Sequence, residues 1–384
     1  MRATEMTGSV SPRSSWHCIT IKSNRKQLIP FFLCICQGQN LVPNNRVLAK
    51  LNNFVIDSTM LSSSQIQTWK EEGAVIFQLP AQVVDPALKW LNINFTIDQM
   101  DGNHFDFGNP DKKFEFPTFI NPLDDLVLSE PLILAAQELL DTQDVRLIQA
   151  DLWPKIGVTN ENHDAQANTD QRMHMDYGNN TVLHPQWDTP DVVAAVVYYD
   201  DSEETGGETG YVTRRGIDDP VYQAPYVNMP GQAANPFFND RATVENWFKE
   251  NDPNIYDLRR QLYEREQVVQ FKPGTILFYR HDLWHRGRPL VAGKLRRVHN
   301  LAWKRADARG ISHWNEGFSR KSYYGNVESL IARSTPLQRS VLDFPLPGDD
   351  YWNLEKLRNV EARFANYGFD ASVYLDKLKT KPSL

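Results

Sequence analysis

Four side chains in this sequence have the types and spacing to do chemistry together. His174 and Asp176, in Arg172-Met-His-Met-Asp-Tyr177, stand two residues apart. On an extended backbone alternate side chains share a face, so an imidazole and a carboxylate point the same way. A third donor is His285, in Asp282-Leu-Trp-His-Arg-Gly287, just past the apolar run Thr275–Tyr279 and its turn signal Lys272-Pro-Gly274. His281 is its rival and ranks below it. Two imidazoles and one carboxylate on one side of a cation leave adjacent positions open, and this donor set favours iron, manganese or zinc. A lone His-x-Asp pair is a weak signal, because such pairs arise by chance and most histidines are simply hydrogen-bonded. The ordered set is stronger: His-x-Asp, a buried strand, a Gly-rich turn, a strand behind Pro-Gly, Trp-His-Arg-Gly, then paired arginines.

The fourth residue is Arg296, eleven residues after His285. A planar guanidinium matches a carboxylate with two parallel charge-assisted bonds, where lysine offers only a point charge. Strand alternation puts Arg296 and Arg297 on opposite faces, so at most one of them serves. For Arg297 the expectation is an ordinary surface position.

These residues need strands to hold them. Val145–Leu152, Val192–Tyr199, Thr275–Tyr279 and Val298–Trp303 read as short strands, and the second is apolar on both parities, as a buried strand is. Ahead of them, Ser62 caps an amphipathic helix that Gly73 closes, and Ala74–Leu79 reads as a strand. Further helices are expected around Pro86–Leu91 and over Leu132–Leu140, with a loop-rich stretch between. Thr243–Gln267 reads as a helix-forming, charge-rich insertion, and helix and loop return beyond Ile311. The expected fold class is α+β, a jelly-roll (double-stranded β-helix, cupin-like) barrel flanked by helices. Its core spans about 145–305 in a single domain, 58–384, with a helical C-terminal region at 311–384.

Composition narrows the field. All three cysteines fall at Cys18, Cys34 and Cys36, which excludes a disulfide framework, a thiolate zinc site and an iron–sulfur cluster from the main body. The net charge of −7 offers no wide basic face and argues against nucleic acid as the main partner. Residues 1–57 stand apart. Up to Ile56 the only acidic residue is Glu5, against seven Lys or Arg. This basic extension is expected to be disordered or processed; a presequence, a late signal core at Leu28–Cys36 and a start at Met60 are alternatives. No run is long enough to span a bilayer, and the C-terminal Pro-Ser-Leu is not the peroxisomal address. An intracellular protein is expected, cytoplasmic unless the extension targets an organelle. Oligomeric state is not legible.

From Leu61 to Trp303 the order of elements resembles the phytanoyl-CoA dioxygenase family of iron oxygenases. The likeness rests on Trp69-Lys-Glu-Glu-Gly-Ala-Val-Ile-Phe77, His174-x-Asp176, Asp200-Asp-Ser-Glu-Glu-Thr-Gly-Gly207, Gly206–Thr213, Lys272–Phe278 and Leu283-Trp-His-Arg-Gly287. It implies Fe(II) on His174, Asp176 and His285, with 2-oxoglutarate and O2 as cosubstrates. The family's eleven-residue step from distal His to Arg makes Arg296, not Arg297, the 2-oxoglutarate anchor. The implied activity oxidises a small-molecule substrate and releases succinate and CO2. Halogenating relatives lack the carboxylate ligand, and Asp176 is present. Two departures stand out: Gly287 replaces a small hydroxyl residue that often helps hold the cosubstrate, and Thr213-Arg-Arg-Gly216 replaces a Pro-Gly-Ser-His-type segment. Phytanoyl-CoA itself is therefore not implied. The insertion and the Ile311–Phe364 tail are candidate pocket walls, with Trp314, Tyr323 and Tyr324 as candidate linings and Arg214 and Arg215 at a candidate mouth. Two other readings stay open: a catalytically silent binding module, and a cupin-type metal hydrolase or isomerase that does not use 2-oxoglutarate.

Overall fold

The computed structural model describes residues 60–97, 114–157, 170–176, 187–222, 236, 238–308 and 326–380, apart from eight positions between 355 and 366. The expectations for the 1–57 extension, and for Trp314, Tyr323 and Tyr324, lie outside the described residues.

The first elements follow their local signals. Ser62 accepts the Gln65 amide and the Gln65 side chain returns to the Ser62 amide, a reciprocal cap that starts helix α1 (Ser63–Glu72). Gly73, at φ 97°, ends it in the left-handed conformation that costs glycine least. Strand β1 (Ala74–Gln78) and helices α2 (Ala81–Asn94) and α4 (Glu130–Leu140) match the reading of the sequence. Between them lie β2 (Phe114–Glu115) and α3 (Asn121–Val127), where loop was expected. Seven residues are too few for helical periodicity to stand out. A tertiary feature braces this turn: the buried Asp124 carboxylate accepts the backbone N–H groups of Thr118 and Phe119 at 2.7 and 3.0 Å.

The remaining strands are β3 (Val145–Ile156), β4 (Val192–Tyr198), β5 (Thr209–Val212), β6 (Gln267–Val268), β7 (Thr275–Arg280), β8 (Trp284–Gly287) and β9 (Leu295–Arg305). They form two antiparallel sheets, a large one in the order β1-β7-β4-β9-β3-β2 and a small one in the order β6-β5-β8. Segment 170–176 runs along the free edge of β8, joined by the bridge His174–His285. Along the chain, β3, segment 170–176, β4, β5, β6, β7, β8 and β9 fall in the large, small, large, small, small, large, small and large sheets. The two longest strands, β3 and β9, pair along nearly their whole length and run well beyond their apolar centres. Their polar ends carry Lys155 and Arg296.

Period-2 alternation divides the interior in two. Val193, Ala195, Val197, Ile276, Phe278, Leu301 and Trp303 face helices α1–α4 and pack with Trp69, Leu91, Leu126, Leu132 and Leu139. Val192, Ala194, Val196, Tyr198, Leu277, Tyr279 and Val298 face the other way, toward Met173, Met175, Leu283 and Trp284. Each fully buried aliphatic or aromatic side chain contributes about 1.5–3 kcal/mol, so a one-residue slip that inverted either strand face would be ruinous. The charge-rich insertion forms two helices, Arg241–Asn251 and Pro253–Glu264, capped by Asp240 and Asp252. The C-terminal region contains helices and gathers a third apolar cluster around Trp352, Phe364, Phe369 and Tyr374. Among the described residues, no helix is long and apolar enough to cross a membrane.

Candidate metal centre

His174 and His285 lie directly opposite each other and exchange both backbone hydrogen bonds, each 2.9 Å. Directly paired residues on antiparallel neighbours project to the same face, and their rings sit 4.4 Å apart. Asp176, two residues beyond His174, projects to that face as well. Its Oδ1 is 3.7 Å from His174 Nε2 and its Oδ2 is 3.3 Å from His285 Nε2. One donor atom from each of the three lies within 4.8 Å of the others.

The chemistry of these donors fits a divalent cation. His174 Nδ1 lies 3.1 Å from the Arg172 carbonyl and His285 Nδ1 3.0 Å from the Leu283 carbonyl. A carbonyl only accepts, so in each neutral ring the proton sits on Nδ1 and the Nε2 lone pair is directed at the shared point. Burial, then the charges of Arg172 and His285, push His174 well below its ordinary pKa and keep it a neutral donor. Burial works to raise the Asp176 carboxyl, but His285, His174 and His281 hold it well below the usual carboxylate range. Burial also opposes charge on His285, yet Asp176 draws its pKa upward. His281 is excluded from the three-donor cluster. It is buried, and its backbone carbonyl accepts the Asp176 amide at 3.1 Å.

A cavity of about 120 Å³ joins this cluster to Arg296. Arg296 is buried; its Nη1 donates to the Gly207 carbonyl, and its Nε has no hydrogen-bond partner. A buried, half-satisfied guanidinium fits an anion. Gly207 permits this approach, since at φ 70° an added Cβ would lie 2.8 Å from Leu290 Cγ and 3.2 Å from Arg296 Cδ. Lys155, paired with Arg296 across the β3–β9 ladder, lines the same cavity. Thr209 lines it too, and its hydroxyl accepts from Tyr198 at 2.6 Å. The place expected for a hydroxyl at position 287 is taken differently. The Gln171 side-chain oxygen accepts the Gly287 amide at 2.9 Å and lies 3.3 Å from where a Cβ would stand.

Several expectations are corrected here. Arg297 is not a surface arginine: it is buried on the helix-facing side, paired with Asp200 at 2.5 Å and donating to Asn92 of α2 at 2.9 Å. The insertion does not wall the cavity, whose lining comes from β3, β4, β5, β7, β8, β9 and segment 170–176. Instead the insertion braces the segment that bears His174 and Asp176. Arg259, fully buried and paired with Glu245 at 2.7 Å, donates to the Met173 carbonyl at 3.1 Å. The Tyr263 hydroxyl accepts the Met173 amide at 3.2 Å and donates to Glu245 at 2.7 Å. Arg214 stands away from the metal cluster, its guanidinium 4.4 Å from the centre of the Trp187 ring. Tyr279, Thr209, Gln171 and Lys155 were not singled out from the sequence. For Tyr279 the signal was present: it shares strand parity with Leu277, on the sheet face that backs the donors.

No family model matches the sequence, and no curated protein matches it. Among solved structures, the chain is similar to the non-heme alpha ketoglutarate dependent carbocyclase SnoK from nogalamycin biosynthesis, at 14% identity over 68% of this chain and 92% of that one, with a TM-score of 0.45. It is similar to EctD from S. alaskensis, solved with 2-oxoglutarate and 5-hydroxyectoine, at 14% identity over 67% and 80% of the two chains and a TM-score of 0.44. HygX from Streptomyces hygroscopicus, with nickel and 2-oxoglutarate bound, gives 14% identity over 65% and 89%, with a TM-score of 0.41. Likeness at this level decides nothing for this chain, and the functional reading rests on its own residues.

Proposed function

We propose that this protein is an Fe(II)- and 2-oxoglutarate-dependent oxygenase acting on a small molecule, built on a jelly-roll barrel. The alternation of strands between the large and small sheets supports that fold. One observation carries the activity. Two imidazoles with their Nε2 atoms turned inward meet a carboxylate within 4.8 Å, in a cavity shared with a buried arginine whose Nε lacks a partner.

In this reading His174, Asp176 and His285 hold the metal. Bound there with 2-oxoglutarate, Fe(II) supplies activation of O2 coupled to release of succinate and CO2. The chain's own work is binding, orientation and exclusion of water. Arg296 grips the far carboxylate of 2-oxoglutarate through Nε and its remaining N–H groups. The Tyr198 hydroxyl donates to Thr209 Oγ1, which frees the threonine proton for that same carboxylate; Thr209 thus supplies the hydroxyl that Gly287 does not. Val196 and Val298 give the cavity apolar walls.

The test is succinate release from 2-oxoglutarate with Fe(II) and ascorbate across a metabolite panel, with Arg296→Ala beside the wild type. Loss of a charge-assisted hydrogen-bonding partner is worth about 1.5–3 kcal/mol, so affinity for 2-oxoglutarate should fall about ten- to hundredfold. Metal-dependent turnover that survives Arg296→Ala unchanged would point to a hydrolase or isomerase. No succinate and no metal-dependent turnover would point to a silent binding module.

A further inference from the structure

Tyr279, on β7, is buried in the apolar face that backs the metal cluster, its ring 4.9 Å from that of His285. Its hydroxyl donates to Asp176 Oδ2 at 2.8 Å. The flanking strands fix its place: Tyr279 pairs with Ala74 of β1 and Ala194 of β4. Alanine on both neighbours leaves room for the ring to reach across the sheet face.

A carboxylate can give a cation one oxygen or both. Two imidazoles and one carboxylate oxygen leave three positions of an octahedral ion open. A second carboxylate oxygen would close one of them. We infer that the Tyr279 hydroxyl is a positioning group which, by occupying Oδ2, restricts Asp176 to one-oxygen ligation and keeps a coordination site free for the cosubstrates. This rests on the proposed oxygenase reading and assigns a role to a residue outside the ligand set. The tyrosine acts through the aspartate, from outside the ligand set.

Tyr279→Phe keeps the ring and removes the donor. Metal binding to the apoprotein is measured with Fe(II) under anaerobic conditions and with Co(II), whose visible bands report coordination number. Removing such an outer partner typically weakens metal affinity about 10- to 100-fold, and that loss is expected here. A changed Co(II) spectrum and a weaker 2-oxoglutarate charge-transfer band at saturating Fe(II) are expected with it. The metal-induced rise in melting temperature, taken from each protein's own apo value, should shrink by the matching amount. If wild type binds Fe(II) and 2-oxoglutarate and Tyr279→Phe reproduces its affinity and spectra, this inference is overturned while the oxygenase reading stands. If wild type itself takes up neither, the oxygenase reading falls, and the inference with it. Should the variant not fold, wild type still decides. Zn(II) binding must perturb the near-ultraviolet absorbance of a buried tyrosine, and an unperturbed spectrum overturns the inference.

Discussion

The two halves of the metal cluster are held in different ways. His285 lies on β8, which pairs with β5 along Trp284–Gly287, and Arg296, beside the cluster, lies on β9, which pairs with β3 from end to end and with β4 from Val298 to Lys304. Backbone ladders do the holding there. His174 and Asp176 lie on a segment with one bridge to β8 on one side and no strand described on the other. That second edge is covered by the insertion and the residues leading into it: Arg259 and Tyr263 take the Met173 carbonyl and amide, while an isolated bridge, Gln171–Asp240, lets the Asn239 carbonyl accept the Arg172 amide and the Asp170 carbonyl accept the Arg241 amide. An edge with unpaired N–H and C=O groups must be satisfied somehow. Here two insertion side chains and the backbone of 239–241 do it, and in the proposed oxygenase this would couple metal affinity to residues that never face the metal.

The largest effect should come from the brace. Arg259 is fully enclosed, and its removal strips Glu245 of its closest cationic partner and leaves the Met173 carbonyl without its donor. Breaking a buried pair in this way costs about 3–5 kcal/mol. Arg259→Met should therefore lower the free energy of unfolding by that amount in urea melts, and weaken Fe(II) binding as segment 170–176 loosens. The comparison between the halves fails if the variant loses stability while metal affinity stays at the wild-type value, because the insertion would then serve the fold alone.

This division also explains what the sequence disclosed. His174 and Asp176 were legible as a same-face pair because strand alternation is a local rule, and the same rule put positions 296 and 297 on opposite faces; His285 was legible from its place behind the Thr275–Tyr279 run, and Arg296 over Arg297 from the family's spacing. Legible too were the capped first helix and the four apolar strand centres. The partner of Arg297 was not, since Asp200 lies 97 residues away and only the folded sheet brings its carboxylate alongside. Nor was the brace, because Met173 and Arg259 are 86 residues apart and a charge-rich amphipathic helix looks the same whether it walls a pocket or props a strand. Segment 170–176 has only two apolar positions, Met173 and Met175, too short an alternation to read as a strand from the sequence. Thr209 and Tyr198 face each other only because β4 and β5 belong to different sheets.

Acid should probe the ladder-held half. His299, on β9, is enclosed on the helix-facing side and hydrogen-bonded to the Tyr199 hydroxyl at 2.7 Å. Burial holds its pKa down to about 3. The unfolded chain takes up a proton here near pH 6.5 and the folded chain does not until about pH 3. The contribution is thus fully present above about pH 6.5 and is lost progressively as pH falls toward 3. By pH 5 the loss amounts to about 2 kcal/mol, at about 1.36 kcal/mol per pH unit. The double variant Tyr199→Phe/His299→Leu removes the titrating group and leaves no hydroxyl stranded. Its stability should fall about 2 kcal/mol less than that of wild type between pH 7 and pH 5. Equal slopes for the two proteins would place the acid-sensitive element elsewhere, the propped half included.

The smallest change gives the sharpest comparison. Tyr263→Phe keeps the ring against the Arg241 and Arg286 guanidiniums, whose carbons lie 4.1 and 5.5 Å from its centre. It removes only the hydroxyl that accepts the Met173 amide and donates to Glu245. Loss of such a hydrogen bond costs about 1 kcal/mol, or about a fivefold change in a local opening equilibrium. Native-state hydrogen exchange reads this residue by residue. The Met173 amide should exchange about fivefold faster in the variant. The His285 amide should not, because its bond to the His174 carbonyl on one face of the bridge is backed by the β5–β8 ladder on the other. Equal acceleration at both amides would mean that the two strands open as one unit, and that ligands held by ladders and ligands held by props share a single local stability.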